Sequence, residues 1–341
     1  MIWKYSGLKT AEKNKCILLL MALLMLSAAA GCNQSNTNRT ETSEQTSLAQ
    51  EAASIPTTPE KTKIVATILP TYLFTKAVAG EAADVSILVS PTTDVHDYQS
   101  TPDDVKAISK ASILVKNGLG LEEFLENTIK NAENPNLVKI DASKGIKILE
   151  QISPFDKTLG EHRHDHGHDH ADGNPHVWLD PMLAKQQVTN ILNGLIAADP
   201  ANKATYEANA TAYIQELDNL HREFQESLQK TPNCTFITFH DAFPYLAQRY
   251  NLKQVAVVQI PEDQLSPSDV QKAVKAVKKY NAQALFSEPG VDNKLLTSLA
   301  EDLNLTVRYL DSIETAADDT NPQYYFQVMK TNLQTIEAGC N

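Results

Sequence analysis

The sequence predicts an α/β protein of two similar lobes with mainly parallel sheets, joined by one long rigid α-helix. Short β-branched runs alternate with segments of helical spacing from residue 62 onward, as in parallel sheets that are covered by helices. The same order of elements occurs twice, and one uninterrupted amphipathic segment separates the two copies. Each copy has the size of a small domain, so we expect two related lobes.

Residues 1–31 have the pattern of a secretory signal peptide. Four lysines precede an apolar stretch that is too short for an ordinary membrane span and that ends in small residues. The end of this stretch, Ala29-Ala30-Gly31-Cys32, resembles a bacterial lipobox, in which the peptide is cut before a cysteine that is then acylated. We expect lipidation of Cys32, with ordinary secretory cleavage near Gly31 as the alternative.

Residues 32–61 contain mostly Asn, Thr, Ser, Gln and Glu, so the sequence predicts a flexible tether. A lipid on Cys32 would anchor the protein to the extracytoplasmic face of a bacterial membrane, in the periplasm or at the cell surface. The net charge of the chain is −12, and loss of residues 1–31, which hold four lysines and one glutamate, moves it to −15. This charge argues against a nucleic acid as partner.

The first lobe is expected over residues 62–200. Its later part contains Asp180-Pro181, a pair that is typical of a helix start because aspartate caps the helix and proline fits its first turn. The preceding elements are strands at 64–69, 84–90, 112–116 and 137–140, with helices at 102–111 and 121–131.

The connecting helix is expected over residues 201–231. Residues 201–229 lack glycine and proline, and their apolar positions are spaced by three and four, which predicts one amphipathic helix. At 1.5 Å per residue such a helix spans about 40 Å, so we expect the lobes to rock slightly and not to swing widely. The apolar positions are Tyr206, Ala210, Tyr213, Leu217, Leu220, Phe224 and Leu228.

The second lobe, residues 232–341, repeats the order of the first. Strands are expected at 235–239, 254–260, 284–287 and 307–311, with a helical segment at 240–250. Both lobes contain a Ser/Thr-Pro-Asp/Ser-Asp-Val step before a helix, which argues against chance similarity. Cys234 and Cys340 lie in this lobe and form a candidate disulfide in an oxidising compartment, although the sequence does not show that they meet.

A histidine-rich run occupies residues 162–170, inside an expected loop at 157–174. Five of the nine histidines of the chain lie there between carboxylates, and short runs of this kind bind metal. A purification tag or a solvated linker is the alternative, but a tag would not be expected in mid-chain with Asp and Gly inside it. We expect weak auxiliary metal binding by His162, His164, His166, His168, His170, Asp165 and Asp169.

The other histidines point to an ordered metal site in the cleft between the lobes. His96 and His240 follow predicted strands, His176 precedes a predicted helix, and Asp311 ends a strand. Ligands of open α/β sheets gather beyond the carboxyl ends of the strands, and three imidazoles with one carboxylate satisfy a tetrahedral metal. Asp311 could equally cap the next helix, and His221 is expected on the surface of the long helix.

These segments resemble the metal-binding (cluster A-I) solute-binding proteins of bacterial ABC transporters, in particular the zinc-uptake, ZnuA-like members. The resemblance covers about residues 61–338. It implies His96, His176, His240 and Asp311 as metal ligands, and as partners a membrane permease with its cytoplasmic ATPase. It also implies a monomer that is not an enzyme. The motifs that carry it are His96-Asp-Tyr, Asn117-Gly-Leu-Gly-Leu-Glu122, Asn174-Pro-His-Val-Trp-Leu-Asp-Pro181, Phe239-His-Asp-Ala-Phe243, Phe286-Ser-Glu-Pro289 and Tyr309-Leu-Asp-Ser312.

Zn²⁺ is the expected metal, with Mn²⁺ or iron as the alternative. Manganese members of the family commonly have Glu where this chain has His240, and imidazole in place of oxygen favours zinc. Some zinc members have Glu at the position of Val95, so this chain lacks that carboxylate. Three unperturbed histidines would predict weaker metal binding below about pH 6.

Two other classes of protein are less well supported. A secreted zinc hydrolase would need an open metal position for water, and the sequence has no His-Glu-x-x-His pair. An adhesin or an envelope metal buffer is compatible with a tethered protein, but no residue pattern indicates either role.

Overall fold

The fold consists of two α/β lobes, each built on a four-stranded parallel sheet. The structure is a computed structural model and describes residues 60–149, 173–257, 266–282, 284–289, 294–316 and 321–340. In the first lobe the strand order is β2 (Ala83–Ile87), β1 (Thr62–Ala66), β3 (Ile113–Lys116) and β4 (Val138–Asp141). In the second it is β6 (Lys253–Ala256), β5 (Thr235–Thr238), β7 (Ala284–Ser287) and β8 (Thr306–Tyr309), and every pair is parallel. The two-lobed α/β prediction is therefore confirmed, and the lobes share one topology.

The first lobe packs helices against both faces of its sheet because consecutive apolar residues of its central strands, Ile64-Val65-Ala66 and Ile113-Leu114-Val115, are buried. Ile64, Ile113 and Val115 on these strands are almost fully buried. Thr101 caps the helix Pro102–Lys110 (α2): its hydroxyl accepts a hydrogen bond from the Asp104 amide, and the Asp104 carboxylate accepts one from the Thr101 amide. The elements are β1 (Thr62–Ala66), α1 (Leu69–Ala79), β2 (Ala83–Ile87), α2 (Pro102–Lys110), β3 (Ile113–Lys116), α3 (Leu125–Ala132), β4 (Val138–Asp141) and α4 (Pro181–Ala198).

The long connecting helix is α5 (Lys203–Leu228), whose 26 residues span about 40 Å. It packs against α1 and α4 of the first lobe and against the C-terminal helix. All seven apolar positions that the spacing predicted are buried, so one continuous stripe holds the helix to both lobes. Within the described residues, no helix meets the length and apolarity that a membrane span requires.

The second lobe has the same strand order as the first and the same cap on the corresponding helix. Ser266 and Asp269 form the same reciprocal cap at the start of the helix Pro267–Tyr280 (α7) that Thr101 and Asp104 form at α2. The elements are β5 (Thr235–Thr238), α6 (Pro244–Arg249), β6 (Lys253–Ala256), α7 (Pro267–Tyr280), β7 (Ala284–Ser287), α8 (Lys294–Asp302), β8 (Thr306–Tyr309) and α9 (Tyr324–Cys340).

The segment from Asn174 to Pro181 belongs to the first lobe but contacts the second. The Trp178 indole donates a hydrogen bond to the Ser312 carbonyl at 2.7 Å, and the Tyr325 hydroxyl donates to the Trp178 carbonyl at 2.7 Å. Arg249 of α6 pairs with the buried Asp180 carboxylate at 2.8 Å. These contacts hold the two lobes together immediately beside His176.

The C-terminal helix is joined to the start of β5 by a disulfide. The Cα atoms of Cys234 and Cys340 lie 5.7 Å apart and their sulfurs are bonded. The structure therefore contains the pair that the sequence offered as a candidate, and it ties α9 to the centre of the second sheet.

Candidate metal centre

Three buried histidines meet where the two lobes face each other. His96 lies in the loop after β2, His176 directly before the 3-10 turn Val177–Leu179, and His240 two residues after the end of β5. Each side chain is only 2% exposed. Their ring centroids are 4.6 to 5.5 Å apart. The structure thus brings together the three histidines that the sequence singled out.

The fourth member of this group is Glu314. Each of the four residues offers one ligand atom, and these atoms lie within 4.8 Å of one another. Glu314 Oε1 is 2.9 Å from His96 Nε2 and 3.2 Å from His176 Nε2, and its side chain is 6% exposed. Sequence reasoning had not selected Glu314.

Asp311, the carboxylate that the sequence selected, is not part of this group in the structure. Its Oδ1 accepts a hydrogen bond from the Ile313 amide at 2.7 Å, so the side chain closes a tight turn after β8. Its backbone pairs with the Asn332 side chain of α9 at 2.9 and 2.8 Å. Ile313 has φ +61°, and this left-handed residue reverses the chain so that Glu314 reaches the histidines. Ligation by Asp311 stays a prediction.

His176 is oriented by Asn174 of the same motif. Asn174 Oδ1 accepts hydrogen bonds from the His176 amide at 3.1 Å and from Nδ1 at 3.0 Å, which leaves Nε2 directed at Glu314. The Asn174 amide group donates to the Asp241 carbonyl of the second lobe at 2.6 Å. One side chain therefore connects the His176 ring with the residue that follows His240.

His240 is oriented by a carboxylate. Its Nδ1 lies 2.6 Å from Glu288 Oε1, and within the described part of the chain its buried Nε2 has no hydrogen-bond partner. The Ser312 hydroxyl lies 2.9 Å from Glu288 Oε2 and 2.9 Å from Glu314 Oε2, so it connects the two carboxylates.

The protonation of the histidines differs because their neighbours differ. Burial lowers the pKa of His176 to about 3, although Glu314 opposes the shift. Burial also lowers the pKa of His240, but the charges of Glu288, Glu314 and Asp241 outweigh it and raise the pKa to about 9. Without metal, His176 is therefore neutral at pH 7, whereas the His240 ring is protonated on both nitrogens and positively charged.

The carboxylates of the site are shifted in opposite directions. Burial acts to raise the pKa of Glu314, but His96 and His176 outweigh it and hold this pKa well below its usual value. Burial raises the pKa of Asp311 to about 6, and the charges of Glu288 and Glu314 add to the effect. Glu314 is thus the better anionic donor of the two.

The remaining predicted site residues lie elsewhere. His221 lies on α5, where its Nδ1 is 3.0 Å from the Tyr250 hydroxyl, outside the metal-ligating group. Cys32 and the seven His and Asp residues of the run at 162–170 lie outside the described residues.

Three imidazole nitrogens and one carboxylate oxygen form the donor set of a four-coordinate zinc site. Two donors come from each lobe, since His96 and His176 belong to the first and His240 and Glu314 to the second. The two lobes share one topology and meet around this group of ligands. This arrangement is that of a two-lobed solute-binding protein whose ligand is a metal ion.

Comparison with known proteins identifies the family. The model of the family described as zinc-uptake complex component A, periplasmic (ZnuA), matches residues 64–339, and the chain belongs to this family. It is 30% identical over 281 residues to the high-affinity zinc uptake system protein ZnuA of Bacillus subtilis, which covers 82% of this chain and 87% of that protein.

A second relative is longer than this chain. The zinc-binding lipoprotein AdcA of Streptococcus pneumoniae is 30% identical over 280 residues, which cover 81% of this chain but 55% of AdcA. The crystal structure of the Zn(II)-bound ZnuA-like domain of this AdcA is similar with a TM-score of 0.69 at 28% identity, over 82% of this chain and 99% of that domain.

Proposed function

We propose that this protein binds one Zn²⁺ tightly between its lobes through His96, His176, His240 and Glu314. It then delivers the ion to a membrane permease that a cytoplasmic ATPase drives. As a ZnuA-family member the protein is an extracytoplasmic zinc-binding component of zinc uptake. The observation that carries the proposal is the buried group of three imidazoles and one carboxylate, whose ligand atoms lie within 4.8 Å of one another.

The donor set supports zinc over manganese. Imidazole nitrogen suits Zn²⁺, whereas Mn²⁺ prefers several oxygen donors. Three of the four donors here are nitrogens, and four protein donors complete a tetrahedral shell without water. A closed shell also argues against hydrolytic chemistry, which needs a metal-bound water.

The division of the metal ligands between the two lobes suggests how the ion is released. Because each lobe supplies two of them, a small rotation of one lobe against the other separates the pairs and weakens the site. The stiff α5 restricts the lobes to such small movements. Docking on the permease would therefore release zinc by favouring the more open arrangement.

The finer features of this function are also proposals. We infer a lipid on Cys32 that anchors the protein, which acts as a monomer, and weak binding of further zinc ions by the run at residues 162–170. The pattern Ala29-Ala30-Gly31-Cys32 supports the anchor, as does the lipoprotein description of AdcA.

Calorimetric zinc titration of site variants tests the ligand set. We expect His96→Ala and Glu314→Ala to abolish the tight site but keep the weak ones, and deletion of residues 161–171 to do the reverse. His221→Ala is the matched control, because this histidine lies outside the group and should leave zinc binding unchanged.

Two results would contradict the proposal. A larger loss of zinc affinity in Asp311→Ala than in Glu314→Ala would make Asp311 the fourth ligand. Tighter binding of Mn²⁺ than of Zn²⁺ in direct competition would remove the zinc assignment.

A further inference from the structure

We propose that Glu288 is a positioning residue of the zinc site, which fixes His240 in the tautomer that carries a lone pair on Nε2 and makes this ring a stronger donor. The inference rests on the proposed function and adds to it a residue that does not itself bind the ion. Glu288 lies in the motif Phe286-Ser-Glu-Pro289.

Glu288 is held at both of its oxygens. It follows β7 directly, so it lies at the same edge of the second sheet as His240, which follows β5. Oε1 lies 2.6 Å from His240 Nδ1, and Oε2 accepts a hydrogen bond from the Ser312 hydroxyl at 2.9 Å. With its side chain 17% exposed, the carboxylate has a fixed direction toward the ring.

The hydrogen bond to Glu288 decides which nitrogen of His240 can bind metal. A carboxylate only accepts, so the N–H of the neutral ring lies on Nδ1 and the lone pair on Nε2. Nε2 is buried and makes no hydrogen bond among the described residues, so no described protein group competes for it. His240 Nδ1 also lies 3.7 Å from Glu314 Oε2, but its hydrogen bond to Glu288 occupies it. The tautomer that Glu288 selects therefore leaves Nε2 as the nitrogen available to an ion.

The charge of Glu288 distinguishes His240 from His176. His176 Nδ1 is held by the neutral amide oxygen of Asn174, whereas His240 Nδ1 is held by a carboxylate. A carboxylate partner raises the basicity of an imidazole ligand, and loss of such a partner typically weakens metal binding 10- to 100-fold. The Ser312 hydroxyl has one proton to donate and lies 2.9 Å from both Glu288 Oε2 and Glu314 Oε2, so it can donate to either carboxylate but not to both at once.

Two substitutions separate the hydrogen bond from the charge. Glu288→Gln keeps the shape: its amide oxygen can accept from His240 Nδ1 while its NH₂ donates to the Ser312 hydroxyl. Glu288→Ala removes both contacts. Glu226→Gln is the matched control, because it removes the same charge from the exposed surface of α5.

The measurements are the zinc dissociation constant from chelator competition and the absorption spectrum of the Co²⁺ form, with ¹⁵N NMR of His240 in the metal-free protein. The NMR spectra are recorded at about pH 10, above the His240 pKa of about 9, so that the ring is neutral. We expect zinc affinity to fall in the order wild type, Glu288→Gln, Glu288→Ala, with a total loss of about 10- to 100-fold. The cobalt spectrum should change in both variants, and the Nδ1–H tautomer should lose its dominance in Glu288→Ala. The control should match the wild type in all three.

The His240 and Glu288 variants together distinguish a failure of the proposed function from a failure of the positioning role alone. If His240→Ala keeps a tight zinc site, the proposed function fails. If His240→Ala abolishes the site but both Glu288 variants keep wild-type affinity and the wild-type cobalt spectrum, the positioning role alone is refuted. Glu288→Gln keeps this test valid even if Glu288→Ala folds poorly.

Discussion

The stability of the metal-free protein should fall as the pH rises from 6.5 to above 9, and His240 is the reason. Its pKa is about 9 in the folded protein, because the charges of Glu288, Glu314 and Asp241 outweigh burial, against 6.5 for an ordinary histidine. A raised folded-state pKa contributes stability that is fully present below pH 6.5 and is lost as the pH passes through about 9. A separation of about 2.5 pH units at 1.36 kcal/mol per unit gives a loss of about 3 kcal/mol.

Other buried groups of the site act outside this range of pH. Because the pKa of His176 is about 3 in the folded protein, against 6.5 for an ordinary histidine, this residue lowers the free energy of unfolding as the pH falls below 6.5. Asp311, whose pKa moves from 3.8 to about 6, loses its stabilising contribution between those values as the pH rises. These two effects oppose each other in acid, so His240 is the main titrating group of the site above pH 6.5.

The assay is urea unfolding at several pH values with a chelator present. The free energy of unfolding of the wild type should decrease by about 3 kcal/mol between pH 6.5 and pH 9.5. His240→Ala should remove most of this dependence, and His221→Ala should retain it. Equal dependence of the free energy of unfolding on pH in the wild type and in His240→Ala would show that His240 does not cause the loss of stability.

Two further predictions concern the packing of the lobes. A Cβ on Gly194 of α4 would lie 2.5 Å, 2.6 Å and 3.0 Å from three atoms of Ile140, so the overpacking in Gly194→Ala should cost about 3 kcal/mol. The better helix propensity of alanine offsets about 1 kcal/mol of this cost. The free energy of unfolding should therefore fall by about 2 kcal/mol, and the urea midpoint should fall with it. Asn193→Ala, at an exposed neighbouring position, should show no such loss, and an unchanged midpoint in Gly194→Ala would contradict this packing. The Cys234→Ser/Cys340→Ser double variant should have a free energy of unfolding about 2–5 kcal/mol lower than the oxidised wild type, because the disulfide closes a loop with a sequence separation of 106. Equal free energies of unfolding would show that the bond does not stabilise the fold.

The fold could be predicted from the sequence because its main signals are local and repeated. The stripe of α5 needs only the three-and-four spacing of its apolar residues, and all seven positions proved buried. The two lobes could be recognised because Thr101 and Ser266 begin equivalent helices with the same capping chemistry. His96 and His240 could be found because ligands gather beyond the carboxyl ends of strands. His176 could be found because it lies in the motif Asn174–Pro181, which carries the family resemblance.

One helix begins later than predicted, and the reason concerns the site. Sequence reasoning placed a helical segment from His240, whereas α6 begins at Pro244. Proline disfavours the helical conformation in the residue before it, so Phe243 is not helical and the helix starts at Pro244. The chain from His240 to Ala242 is also irregular. This irregular segment holds the His240 ring beside Glu288 and the Asp241 carbonyl within reach of Asn174.

Glu314 could not be predicted because its position depends on a turn that no pattern in the sequence indicates. Asp311 ends a strand, and the strand-end rule selects it, but its carboxylate is engaged with the Ile313 amide at 2.7 Å. Isoleucine rarely adopts a positive φ, so nothing in the residue type predicts the reversal at Ile313. Such a conformation costs about 1–3 kcal/mol and persists only where its surroundings hold it, and here the side chain of Ile313 is fully buried. Asp311 therefore forms the turn, and the turn delivers Glu314 to the histidines.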